Sequence, residues 1–409
     1  MFEWGLPNNP YANGRYGGMP MVHVLRRCAA FAIATTVLAL TASIASADGP
    51  GWETVSQDFE GPLFGLNVGY DGKLLVADSG AGPTKLDADD GDTSLIASLP
   101  NVTDVIQVGR REYIAVTGGE PEPGSGPPST LYRIKKGHVT KIADLLAFEE
   151  AKDPAQDGVE SNPFDLARLS RNKVLVADAA GNDILVVDKK GKVDWVASLP
   201  QHDVPTQPVK DLVGCPTPAD PSLAEICGLP EIMNADPVAT TVAVGPDGAI
   251  YAGELTGDPG TPGFSRVWRI EPDARHVRCG TDDDECTLVD TPPFTSIIDI
   301  NFGEDGTAYV VEFDENSWLS IFFGLGAGGT MNACRSSDHD DDGDDDSDNG
   351  GVTWTCEEVA TGLPTPTAVA LDDESIYVTL IHFLEGPFEV AQLTGTDGDG
   401  DDNHEEDDD

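Results

Sequence analysis

Short apolar runs rich in Val, Leu, Ile and Ala recur along the chain, and polar turns rich in Asp and Gly break them. Such runs are too brief for helices and fit β-strands. One phrase repeats. Pro62-Leu-Phe-Gly-Leu-Asn-Val-Gly-Tyr-Asp-Gly-Lys-Leu-Leu-Val-Ala-Asp78 returns at residues 163–178 and at 239–254, with Gly245-Pro-Asp-Gly248 at the turn. It returns again at 297–312, with Gly303-Glu-Asp-Gly306, and in degenerate form at 102–118 and 366–380. Each copy predicts two strands around a tight turn, because an Asp-Gly pair tolerates the positive φ that a hairpin needs. Two further strands follow each copy; in the third unit they are residues 184–188 and 192–197.

Six units of about four strands predict an all-β fold, a six-bladed β-propeller. The last unit supplies only three strands, at 367–371, 375–381 and 388–393. Residues 53–58 read as the missing one. The N-terminal strand should therefore complete the last blade and remove the open edges of a linear stack. An open pair of β-sandwiches would not account for six recurrences of one phrase. The expected domain plan is an N-terminal extension and signal peptide at 1–47, a propeller at 48–394, and a disordered acidic tail at 395–409. Insertions are expected at 146–161 and 199–236, with an acidic loop at 335–351. A short helix is expected around 144–152.

The motifs are similar to those of the ScyD/ScyE family of exported β-propellers, relatives of NHL-repeat proteins named for a cyanobacterial sunscreen-pigment gene cluster. The residues that carry the resemblance are Gly61-Pro-Leu-Phe-Gly-Leu66, Leu75-Val-Ala-Asp-Ser-Gly-Ala-Gly82, Ser161-Asn-Pro-Phe-Asp165, Val176-Ala-Asp-Ala-Ala-Gly-Asn-Asp183, Val242-Ala-Val-Gly-Pro-Asp-Gly248 and Gly253-Glu-Leu-Thr-Gly257. They span about residues 52–393. The resemblance implies a secreted propeller with no settled enzymatic role. The acidic insertion and acidic tail depart from the family pattern.

Arg26 and Arg27 precede a 13-residue apolar run at 28–40, and Ala45-Ser46-Ala47 offers a cleavage site. This is the plan of a secretory signal peptide, and the run is too short to span a bilayer. Secretion or periplasmic export follows as an expectation. Six cysteines lie beyond that segment, and an even count in an exported chain favours disulfides. The expected pairs are sequence-local: Cys215 with Cys227, Cys279 with Cys286, and Cys334 with Cys356. Zinc is disfavoured, since no C-x-x-C occurs.

Composition narrows the partners. The 409 residues hold 24 bases against 72 acids, a net charge of −48, so nucleic acid and anionic membranes are poor partners. Two blocks, 338–348 and 397–409, hold 17 of the acids, and the rest of the chain is acidic as well. Within the first block, Asp338, Asp340 and Asp342 with Gly343 match the start of a calcium loop, but position twelve is Asn349 rather than Glu. A solvated charged loop is the competing reading.

In a propeller, the loops leading into inner strands and those after second strands share one face. Here that face carries the long loops 146–161, 199–236, 119–129 and 255–264, and long loops on a rigid scaffold usually carry recognition. It also collects acids. Asp104, Asp165 and Asp299 precede inner-strand cores, while Asp178, Glu254 and Glu312 end second strands; Gly118 takes that place in the second unit. Asp104, Asp165, Asp299, Glu254 and Glu312 should converge on the channel mouth near Asn162. Converging carboxylates either hold a hard cation such as Ca²⁺ or raise one another's pKa; alternatively, they cap turns and bond blade backbones.

Two functions remain open. One is a non-catalytic binding or scaffold protein that uses the long-loop face for a small molecule, a glycan or an extracellular protein, with Asp104, Asn162, Asp165 and Asp178 as candidate contacts. The other is a calcium-dependent hydrolase of the lactonase or esterase type, with Glu254, Asp299 and Glu312 as ligands and His382 as base. No G-x-S-x-G, H-E-x-x-H or Walker-type loop is present.

Overall fold

The computed structural model describes residues 51–119, 128–281, 285–336, 352–372, 375–382 and 387–394. The segment expected to be a signal peptide, the acidic C-terminal residues and Asp338, Asp340 and Asp342 lie outside the described residues.

Six sheets of four antiparallel strands form a six-blade propeller, and the third adds a short parallel strand, Val277–Arg278, at its outer edge. Their inner strands are Leu63–Val68, Val102–Gly109, Pro163–Ser170, Ala239–Val244, Ile297–Phe302 and Pro366–Asp372, here numbered blades 1 to 6. Blade 6 takes its outer strand from the N-terminal side: Gly51–Ser56 pairs antiparallel with Glu389–Thr394. Glu389 reinforces this closure, its Oε2 accepting from Thr54 Oγ1 at 2.9 Å and Gln57 Nε2 at 2.8 Å. At the hairpin turns the backbone folds back at Gly72 (φ 75°) and Gly248 (φ 81°), as the Asp-Gly pairs predict.

Second strands are sandwiched between neighbouring blades, so their central residues are continuously apolar rather than alternating. Leu74–Asp78 and Ile250–Glu254 are buried at every position. Each blade interface has its own apolar cluster. The one between blades 6 and 1 joins Leu63, Leu66, Ala370, Tyr377 and Val390, so closure buries a core comparable in kind to the others.

The insertions form structured units. The helix α1, Leu145–Lys152, is capped by Asp144, whose carboxylate accepts from the Ala147 N–H at 3.0 Å. The 199–236 insertion builds a hairpin (His202–Pro205 with Ile232–Ala235), a helix α2 (Gln207–Val213) and a 3₁₀ segment (Pro221–Gly228). Its small core of Val209, Val213, Leu223 and Ile226 also receives Phe323 and Leu325 from a blade 5 loop. Asp314 organises that loop by accepting from the N–H groups of Asn316, Ser317 and Gly328. All three local disulfides are present. Cys334–Cys356 joins the third and outer strands of blade 5 at the base of the acidic loop.

Candidate functional site

Every inner strand carries a β-bulge at the same place. The register slips between Leu63 and Leu66, Val102 and Asp104, Pro163 and Asp165, Ala239 and Thr241, Ile297 and Asp299, and Pro366 and Ala368. A bulge re-aims the side chain that follows it. Asp104, Asp165 and Asp299 thereby line one cavity of about 280 Å³ on the propeller axis, together with Asn67, Asn301 and Arg168.

These three carboxylates latch blade to blade. Asp104 Oδ2 accepts from the Leu166 N–H (3.0 Å), Asp165 Oδ2 from the Val242 N–H (2.7 Å), and Asp299 Oδ2 from the Val369 N–H (2.8 Å). Thr241 takes the acid's place in blade 4, its Oγ1 accepting from the Ile300 N–H at 3.0 Å. The other carboxylate oxygens are bonded too: Asp104 Oδ1 to Asn67, Asp165 Oδ1 to Leu166 N–H, and Asp299 Oδ1 to Thr241 and Ile300 N–H. Gly65 has no such side chain, and a Cβ there would collide with Asp104. Burial, then the charge of Asp165, pushes Asp104 well above the usual carboxylate range and Asp299 up to about 8. Burial also raises Asp165. The ring is therefore partly protonated at neutral pH, and its oxygens are committed to backbone N–H groups and to the Asn67 and Thr241 side chains.

One residue earlier runs a second ring that the sequence reading missed. Thr103, Thr240 and Thr367 donate to the carbonyls of Pro163, Ile297 and Leu63, each in the following blade, at 2.9, 2.7 and 2.6 Å. Phe64, Phe164 and Ile298 alternate with them around the axis, and Phe64 and Phe164 meet edge to face at 5.8 Å. The signal was in the chain: Thr and apolar residues alternate at one repeat position.

The second-strand acids do not join the axis. Glu254 is fully buried and held by Arg266, with Nε to Oε2 at 2.7 Å and Nη2 to Oε1 at 2.9 Å; Trp268 Nε1 adds a bond of 2.6 Å. Glu312 accepts from the Thr295 N–H and from Asn332 Nδ2, and burial pushes it up to about 7. Asn162 and Asp178 stand together at the edge of blade 3, the Asn162 N–H donating to Asp178 Oδ1 at 2.6 Å. The register pairs Val102 with Thr117, so Thr117 and not Gly118 is the equivalent residue of blade 2. His382 lies 2.8 Å from Glu389 on blade 6, at the closing strand. Glu254, Asp299 and Glu312 thus do not form a common ligand set. Among the described residues, the acids that do come within ligand distance are Glu149, Asp178 and Asp183.

A cleft of about 420 Å³ opens on the long-loop face beside blade 4, walled by His202, Phe264, Arg266, Leu288 and Pro293. His202 Nε2 lies 3.2 Å from the Phe264 carbonyl, which makes it the protonated nitrogen. Nδ1 is then a bare acceptor, and it is buried without a partner. Burial, then the charge of Arg266, lowers the ring to about 4, so it stays neutral.

No family model matches the chain, and no curated protein matches it. Solved structures do. The PQQ domain of pyranose dehydrogenase from Coprinopsis cinerea is similar at 11% identity and a TM-score of 0.51, covering 85% of this chain and 96% of that one. A putative oxidoreductase (glucose dehydrogenase) from Thermus thermophilus matches at 15% identity and a TM-score of 0.51, over 84% and 100%. Virginiamycin B lyase from Staphylococcus aureus matches at 15% identity and a TM-score of 0.45, over 84% and 98%. At such identities the likeness is one of fold, and that fold is the six-bladed β-propeller.

Proposed function

We propose that the chain is an exported, ScyD/ScyE-like binding propeller that holds a small amphiphilic molecule on its long-loop face. The observation that carries this reading is the cleft beside blade 4. It joins apolar walls (Phe264, Leu288, Pro293) to the polar side chains of His202 and Arg266. Apolar walls with a few polar groups at one side suit a ligand that has an apolar body and a polar end. The three disulfides support an oxidising compartment, and no described helix is long and apolar enough to cross a membrane. The hydrolase reading needs Glu254, Asp299, Glu312 and His382 to converge, and each of the first three is committed to partners of its own: Glu254 to Arg266, Asp299 to the Val369 N–H and Glu312 to Asn332.

A thermal-shift screen with aromatic amines and alcohols tests the reading, paired with a lactone and aryl-ester turnover panel in calcium. Binding that Leu288→Asp abolishes, in a variant that still melts cooperatively, is the expected result. Turnover that Asp299→Asn removes would overturn it in favour of the hydrolase.

A further inference from the structure

The edge of blade 3 carries a feature that the binding reading does not use. Asp178 ends the second strand and Asp183 begins the third, and the two are direct cross-strand partners. Like charges placed opposite one another in a ladder destabilise it. A third acid arrives from outside the blade. Glu149 and Leu145, one turn apart on α1, are the residues of that helix that are buried. Glu149, Asp178 and Asp183 are 1%, 0% and 0% exposed, and one oxygen from each lies within 4.8 Å of the others.

The oxygens of this trio are unequally satisfied. Asp178 accepts from Ser161 Oγ, Asn162 N–H and Gly181 N–H. Asp78, its counterpart in blade 1, likewise accepts backbone N–H groups, so Asp178 also does the ordinary work of its repeat position. Asp183 has no such donors: both its carboxylate oxygens are buried with no N–H or O–H of another group reaching them, as is Glu149 Oε1, and the two carboxyl groups meet each other. Asp153 and Asp157 add further negative charge nearby, and Asp157 is held in place by Asn182 Nδ2 at 2.7 Å.

We infer that Glu149, Asp178 and Asp183 form a calcium site that fastens α1 to the edge of blade 3. The donor set is oxygen only, which suits a hard cation and not zinc. Ca²⁺ accepts six to eight oxygens, with carboxylates binding through one or both, whereas Mg²⁺ usually keeps several waters. Groups this buried leave little room for those waters. Left without a metal cation, three buried carboxylates this close together can only share protons. Calcium would replace those protons and tie the 146–161 loop to the scaffold. The site lies apart from the blade 4 cleft, and the inference is independent of what the cleft binds.

The test uses the full chain, stripped with chelator and then dialysed against CaCl₂ or MgCl₂. Bound metal is counted by mass spectrometry of the elements, and melting temperature is followed with and without calcium. Wild type is compared with Asp183→Asn and Glu149→Gln; the acidic loop and tail are common to all three, so the difference counts this site alone. The expected result is one more calcium per wild-type chain than in either variant. A melting rise on the order of 4 °C at a hundredfold excess over Kd should accompany it, shared by neither variant and weaker with magnesium. Equal calcium counts in all three chains, or a wild type whose melting ignores calcium, would overturn the site. In that case the trio shares protons only. Glu149 stands on an appended helix and not in a blade, so Glu149→Gln is the variant to read if Asp183→Asn does not fold.

Discussion

Blades 3 and 4 place an acid at the same point of the repeat, the end of the second strand, and surround it in opposite ways. In blade 4 the residue in register across the ladder is Arg266, which grips Glu254 with two nitrogens. In blade 3 the residue across the ladder is Asp183, and α1 brings Glu149 as well. Glu254, Asp178 and Asp183 are all 0% exposed. Burial and repeat position are therefore the same, and the cross-strand neighbour decides the chemistry. One blade edge is an internal ion pair; the other has the charge and the free lone pairs of a cation site. The axial ring gives a third solution, in which Asp104, Asp165 and Asp299 are answered by backbone N–H groups of the next blade.

The sharpest way to break the comparison is to give blade 4 an unanswered acid. Arg266→Ala leaves Glu254 buried with Trp268 as its remaining side-chain donor, and the expected loss is about 3–5 kcal/mol in urea unfolding. Calcium should not restore it, because one carboxylate is not a site. A loss below about 1 kcal/mol would show that the guanidinium is not what answers Glu254.

The axial Asp299 and the off-axis Glu312 sharpen the contrast through pH. Asp299 stands near 8 in the folded chain against an ordinary 3.8, and Glu312 near 7 against 4.5. The folded chain then holds protons that the unfolded chain releases. Stability from these groups is complete below about pH 4 and is lost as pH rises toward 8. Unfolding midpoints at pH 5 and pH 8.5 in chelator should fall in that order, with a smaller fall in Asp299→Asn. An unchanged slope in the variant would remove Asp299 from the ring's titration.

The smallest effect concerns the threonine latches. Thr103→Val and Thr367→Val each remove one inter-blade bond, and each should cost about 1 kcal/mol by urea unfolding. Thr367 donates to the Leu63 carbonyl across the closing interface of blades 6 and 1, so the two values test whether closure is held like any other joint.

What could be read from the chain was what the repeat or a short sequence distance dictates. The six units, the closing strand, the helix at 145–152 and three sequence-local disulfides all fall in this class. So does the meeting of Asp104, Asp165 and Asp299, since equivalent positions of a radial repeat converge. Expecting Glu254 and Glu312 to join them failed, because an acid at a strand end turns toward whatever lies across its own blade. Arg266 stands twelve residues on, beyond a long loop, and its pairing depends on the register of the third strand. The clash of Asp178 with Asp183 was visible as two acids either side of a four-residue turn. Glu149 was not, because nothing local says how α1 docks on blade 3.

The most direct measurement is anomalous diffraction from crystals of the full chain soaked in a lanthanide that replaces calcium. The account predicts a peak bounded by Glu149, Asp178 and Asp183, and none on the axis among Asp104, Asp165 and Asp299. A peak on the axis, or a blade 3 edge without one at full soak, would contradict it.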